Sequence, residues 1–291
     1  GVFAYWRDRF CFDFLRFDSV DHIFDSCGDF DTPRSDRPSP AELKRTLEEA
    51  KGAGRAVGAL AERMGTEFAE YASCGFDALL GNDMFRRIGS ELVESSLSLS
   101  AEIGTFNAGS PDRVSVCFAV DTHDTGDPNL LGAPLVESLS SAELLQRQFL
   151  SRFASWGKGF RPKYEVTGCS DRSYGLYRSN VTEENMVFRG DEDHCARYHF
   201  LEDIYAEVSD VLRSGSLVDS STSKNGARWT ISDGRRTIRF ALAFAGGRGM
   251  KLYSWNCDWS ARIFRRERTS DCPSRIGAGE CCVIFSGDAD L

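Results

Sequence analysis

The apolar positions fall into two regimes along the chain. From Phe3 to about Leu212, short apolar runs of strand length alternate with longer stretches of helical period. The pattern predicts the end of an amphipathic helix over 3–9 and a strand over 11–18. A helix is expected from Ser39-Pro40-Ala41-Glu42 to about Gly52, because a capping Ser, a Pro in the first turn and a Glu three residues on form a helix start. Next come an apolar strand over 55–61 that ends on Glu62, a helix from Phe68 to Cys74 closed by Gly75, and a strand over 76–80. A helix over 84–106, a strand over 114–120, a helix over 142–156, a strand over 162–166 and a helix over 193–212 complete the series. Buried strands alternating with helices predict an α/β fold built on parallel strands, as a sheet or a barrel.

From about Gly215 the pattern changes. Strand-like runs at 228–231, 237–244, 251–255, 261–264 and 280–285 are separated by Gly, Asp and Ser turns, with no helical period between them. This predicts a small antiparallel β domain. The expected division is therefore 1–214 and 215–291.

Composition narrows the partners more than the fold. The 291 residues are 41% hydrophobic and 27% charged, as in an ordinary globular protein. A net charge of -9 argues against a polyanion such as nucleic acid as partner. No long uncharged apolar run suggests a membrane span. The 10 cysteines are scattered without a Cys-x-x-Cys pair, so no structural zinc is expected. Several lie inside apolar strands, which reads most of the ten as buried thiols of a reducing compartment, the cytoplasm, and leaves disulfides among some of them as the alternative. The chain opens Gly1-Val2-Phe3 with no initiator Met and no signal peptide, as though inside an element, which suggests a fragment.

The candidate chemistry gathers just after the strands: Asp18, Glu62, Asp83, His123 and Asp124. In a (β/α) barrel that is the C-terminal rim, where active sites lie. In Phe12-Asp13-Phe14-Leu15-Arg16-Phe17-Asp18, a period of two puts Arg16 and Asp18 on one face with Phe12 and Phe14. A cation beside a carboxylate keeps it ionised, as a nucleophile requires; a plain structural ion pair looks the same. Asp191, Asp193, His194 and His199 lie at a helix start and read as a charged helix terminus rather than metal ligands. Trp229, Trp255 and Trp259 read as core packing of the β domain.

Three stretches carry a resemblance. Arg16-Phe17-Asp18-Ser19-Val20-Asp21-His22 is similar to the nucleophile motif of the α-amylase family of glycoside hydrolases. Leu60-Ala61-Glu62-Arg63 resembles that family's acid/base strand end, and Val120-Asp121-Thr122-His123-Asp124 resembles its later Asn-His-Asp motif. Their order, with one further strand between the second and third, also matches. Asp21 and Thr122 depart from the family's usual Lys and Asn, and its earlier Asp/Asn-His motif has no counterpart here. The resemblance implies a partial (β/α)8 TIM barrel of strands four to eight followed by an antiparallel β-sandwich domain. It implies a retaining hydrolase or transglycosylase of α-linked glucans or glucosides, without cofactor or metal. Asp18 would be the nucleophile, Glu62 the general acid/base and Asp124 the transition-state stabiliser. Arg16, His22 and His123 would bind or orient the substrate. Lacking the first barrel strands, the chain would be inactive or poorly folded alone. Two other readings stand beside this one: a non-catalytic carbohydrate-binding or partner-subunit relative, and an unrelated barrel whose rim carboxylates hold a metal.

Overall fold

The structure is a computed structural model that describes residues 2–10, 14–18, 20, 40–52, 57–62, 68–81, 88–120, 139–157, 173–174, 186–187, 192–252, 260–263 and 274–285. It is an α/β protein with one parallel sheet and several antiparallel ones. The Cα trace divides into two compact units. One comprises Gly1–Asn82, Glu102–Cys117 and Lys158–Lys163; the other comprises Asp83–Ala101, Phe118–Gly157 and Tyr164–Leu291.

The first unit holds the parallel sheet. Its elements begin α1 (Val2–Phe10), β1 (Phe14–Phe17), α2 (Pro40–Lys51), β2 (Gly58–Ala61), α3 (Phe68–Ser73) and β3 (Ala78–Gly81). Then α4 (Ser90–Gly109), of which only the part from Glu102 belongs to this unit, leads to β4 (Ser115–Phe118), which belongs to it up to Cys117. The spatial order β1-β2-β3-β4 never reverses, and β1/β2 and β2/β3 pair in parallel. β2, β3 and β4 are almost wholly buried, hence their unbroken apolar sequences. β1 is only half-buried and has β2 as its one sheet partner among the described residues.

Polar contacts fix the end of this sheet at which the strands start. Asp77 Oδ2 accepts the Ala59 amide at 2.8 Å and pairs with Lys51 Nζ at 2.7 Å. Buried Asn107 donates to the Val114 carbonyl at 2.7 Å and accepts the Val114 amide at 3.0 Å, replacing the ladder just before β4. Gly52 ends α2 at φ 68°, where a Cβ would stand 2.1 Å from Arg7 Nη1. That Arg7 nitrogen donates to the carbonyls of Glu49 and Ala50, two acceptors the helix end leaves open.

The second unit holds α5 (Ser141–Phe153), the two-stranded pair β5 (Ser173–Tyr174) and β6 (Met186–Val187), α6 (Glu192–Ser214), and then strands only. These are β7 (Ser216–Ser223), β8 (Gly226–Ser232), β9 (Thr237–Ala243), β10 (Met250–Lys251), β11 (Ser260–Ile263), β12 (Arg275–Ile276) and β13 (Cys281–Phe285). Five form an antiparallel sheet in the order β11-β13-β9-β8-β7, and β10 pairs with β12. A capping box opens α5: Ser140 Oγ accepts the Glu143 amide, and Glu143 accepts the Ser140 amide. Every residue from Leu144 to Leu150 is buried, as in a helix enclosed on all sides.

One face of the antiparallel sheet carries the aromatic core. Trp229 and Phe240 stack at 5.4 Å, Phe153 stacks on Phe240 at 5.1 Å, and Phe149 meets both sheet rings edge-on. Trp229 is fully buried, and its Nε1–H donates to the Phe153 carbonyl at 2.9 Å. Gln146 donates to the Ala243 carbonyl at 2.5 Å and accepts the Ala245 amide at 3.3 Å, tying α5 to the end of β9. On the other face, Ala241, Ala243, Cys282 and Ile284 pack with Leu252 and Ile276. Both faces of β13 are thus covered, so Cys281 and Cys282 point opposite ways and are both buried. Burial pushes the Cys281 thiol well above its ordinary range, as befits an inert packing residue.

Several expected boundaries move. The strand expected from Phe76 starts at Ala78, because Phe76 turns back to bond the Tyr71 carbonyl and packs edge-on against Phe17. The helix expected from residue 84 starts at Ser90 and continues to Gly109. β7 is a strand that the sequence pattern does not announce: it is an edge strand, mostly exposed on both faces, so its Ser-rich sequence shows no apolar alternation. Leu252 follows a two-residue β10 where a longer strand was expected; residues 253–255 lie outside the described set, as does the strand expected over 162–166.

Candidate active site

β1 and β2 run side by side and end together. Phe14 faces Gly58 across the ladder and Phe17 faces Ala61. The pairing then continues past both strands: the Glu62 amide donates to the Phe17 carbonyl at 2.9 Å, and the Val20 amide donates to the Glu62 carbonyl at 3.0 Å. Val20 is buried, which anchors the turn after β1. Two carboxylates thereby reach the same strand end, Asp18 from the turn after β1 and Glu62 from the residue after β2.

Arg16 joins them. Its Nη1 donates to Asp18 Oδ1 at 2.7 Å and its Nη2 meets Glu62 Oε1 at 2.6 Å. The alternation read from the sequence accounts for the first contact, since Arg16 and Asp18 share a face of the strand. It did not announce the second, which needs β2 in register beside β1. The three side chains differ in access: that of Asp18 is 72% exposed, those of Arg16 and Glu62 only 20% and 18%. Asp18 is therefore exposed, while Arg16 and Glu62 are largely enclosed. A guanidinium between two carboxylates stabilises both as anions and fixes their spacing.

Asp124, His123, His22 and Asp83 lie outside the described residues, as do Trp255 and Trp259. Trp229 is in the core, and His199 is exposed on α6. Among the described residues no cluster of three His, Cys, Asp or Glu is arranged to hold a metal ion, and no helix is long and apolar enough to cross a membrane.

With this geometry in place, comparison with solved structures gives the class of architecture. No protein-family model and no curated protein matches the sequence. Solved structures do match. The α-amylase of Geobacillus thermoleovorans, determined with acarbose, superimposes with a TM-score of 0.63 at 12% identity, covering 99% of this chain and 63% of its own. An Anoxybacillus α-amylase gives 0.63 at 15% identity, over 100% of this chain and 63% of its own. A GH27 β-L-arabinopyranosidase from Geobacillus stearothermophilus gives 0.56 at 12% identity, over 99% and 61%. The chain thus shares its fold with these solved structures and spans 63% of the length of each of the two amylases. At such identities the likeness speaks for the fold, and a fold hosts many specificities.

Proposed function

We propose that this chain carries strands four to eight of a (β/α)8 barrel and an antiparallel C-terminal domain of a retaining glycoside hydrolase acting on α-linked glucans or glucosides. The boundary near 214/215 marks where helices give way to strands. The unreversed order β1-β2-β3-β4, without the switch point of a doubly wound sheet, supports an arc of barrel. The observation that carries the reading is the pair Asp18 and Glu62, held by one arginine at the ends of adjacent parallel strands. A retaining enzyme needs two carboxyls about 5–5.5 Å apart, one to attack the anomeric carbon and one to protonate the leaving oxygen and later activate water.

Asp18 is the nucleophile: it is exposed and kept ionised by Arg16. Glu62 is the general acid/base, at an enclosed position with its backbone bonded on both sides. Asp124 supplies negative charge for the oxocarbenium-like transition state, and His22 and His123 donate to sugar hydroxyls. Cys74, Cys117, Cys281 and Cys282 are buried thiols, which fits a reducing compartment. The alternative, a carbohydrate-binding relative without catalysis, draws support from one observation: the contact of Arg16 with Glu62 opposes the protonated form that an acid needs.

Covalent trapping separates the two. The natural full-length protein, treated with 5-fluoro-α-glucosyl fluoride and analysed by peptide mass mapping, is expected to carry one glycosyl adduct on Asp18, absent in Asp18→Asn. Binding of the sugar without any adduct or hydrolysis would favour the non-catalytic reading.

A further inference from the structure

This inference rests on the reading of Asp18 and Glu62 just given and concerns how the acid is held before substrate arrives. Arg16 presents one terminal nitrogen to each carboxylate, at 2.7 Å to Asp18 and 2.6 Å to Glu62. The two partners have opposite requirements. A nucleophile works as the anion, so the first contact serves Asp18. A general acid must carry a proton, and arginine stays charged at any working pH, so the second contact works against the protonated form that an acid needs. That contact is also the more enclosed of the two, where screening by water is weakest.

We propose that the Arg16–Glu62 ion pair is a resting-state lock on the acid/base carboxyl, and that an α-glucoside entering the site opens it with uptake of one proton by Glu62. In the opening step the bond from Arg16 Nη2 to Glu62 Oε1 breaks, and Arg16 keeps its charge and its bond to Asp18. Glu62 takes one proton from solvent. It later gives that proton to the glycosidic oxygen as Asp18 attacks the anomeric carbon and the bond from that carbon to the leaving oxygen breaks. Arg16 faces Glu62 from β1, and Asp18 faces Arg16 from the turn that follows. On the other flank β3 is Ala78-Leu79-Leu80-Gly81 and brings no charge. Asp124 and His123, expected on the same rim, lie outside the described residues.

The test is calorimetric and needs no turnover. An S-linked maltotriose, neutral and not hydrolysed, is titrated into the natural full-length protein near neutral pH, in two buffers of different ionisation enthalpy. The expected result is uptake of about one proton per ligand bound, with affinity falling about tenfold per pH unit. Glu62→Gln and Arg16→Leu should each bind without proton uptake. Ligand binding to the unmodified protein with neither proton uptake nor pH dependence overturns the lock while leaving the glycosidase reading intact. If the ligand does not bind, that reading fails instead. The lock is then decided on the free protein by the infrared carboxyl band that Glu62→Gln removes. A band that titrates at higher pH in Arg16→Leu than in the unmodified protein supports the pair, and an unchanged midpoint overturns it. Arg16→Gln, which removes the charge but keeps a polar side chain, serves if Arg16→Leu does not fold.

Discussion

The two principal sheets are built to different ends. Each strand of the parallel sheet, β1 to β4, is four residues long, and its polar side chains collect at the strand termini. In the antiparallel sheet, β7, β8 and β9 run to eight, seven and seven residues, and the sheet invests its sequence in its faces: stacked rings on one side and a Cys-Ile-Ala cluster on the other. A parallel sheet brings different parts of the chain to one edge, where their ends converge. An antiparallel hairpin sheet brings neighbours together and chiefly buries area. The parallel sheet thus gathers charged side chains at one edge, and the antiparallel one chiefly buries apolar area.

The contrast is broken most severely by removing the carboxylates. Asp18→Asn and Glu62→Gln should each lower glycoside hydrolysis by about 10³-fold, roughly 4 kcal/mol on the barrier, with little change in thermal stability. An aryl α-glucoside assay beside a melting curve reads both. Trp229→Ala should do the reverse. It empties the centre of the aromatic stack and should cost about 3–5 kcal/mol in denaturant unfolding followed by near-UV circular dichroism.

Gly58→Ala tests whether the parallel sheet tolerates crowding. A Cβ there would stand 2.2 Å from the Phe14 ring across the ladder, so a cost of about 1–3 kcal/mol is expected, relieved in part by Phe14→Leu. Because β1 carries Arg16, that variant should also lower activity.

The smallest effect lies in the turn between β8 and β9. Asp233 Oδ1 accepts the backbone amides of Arg236 at 2.7 Å and Arg235 at 2.8 Å, and the Arg236 amide chiefly holds this carboxyl below its ordinary value. A folded-state value below the unfolded one gives stability that is full above about pH 4 and is lost as pH falls through the folded value. Asp233→Ala should cost about 1 kcal/mol at pH 7 and less in acid, measured by urea unfolding at both pH values.

Much of the parallel sheet was readable from local signals. Pro40 in the first turn of α2, Gly75 after α3 and the apolar runs of β2 to β4 each act within a few residues, so their elements appear where the pattern puts them. β7 was hidden for the same reason in reverse. An exposed edge strand is held by its backbone partner, and its Ser-rich side chains carry no burial signal. Arg147 and Gln146, buried in helix α5, did not read as core. Their burial is set by what packs around them.

The sequence by itself determined the alternation of strands and helices, the change to strands alone after Ser214, and the shared face of Arg16 and Asp18, because period and steric preference act between near neighbours. Only the tertiary structure decided that Arg16 also reaches Glu62, 46 positions along the numbering, since that contact exists only once β1 and β2 lie in parallel register. It likewise set helix α5 over the face of the sheet that holds Trp229, which gives the packing role read from the sequence its actual partners. Contacts between distant segments depend on register and layer order, which no local pattern encodes.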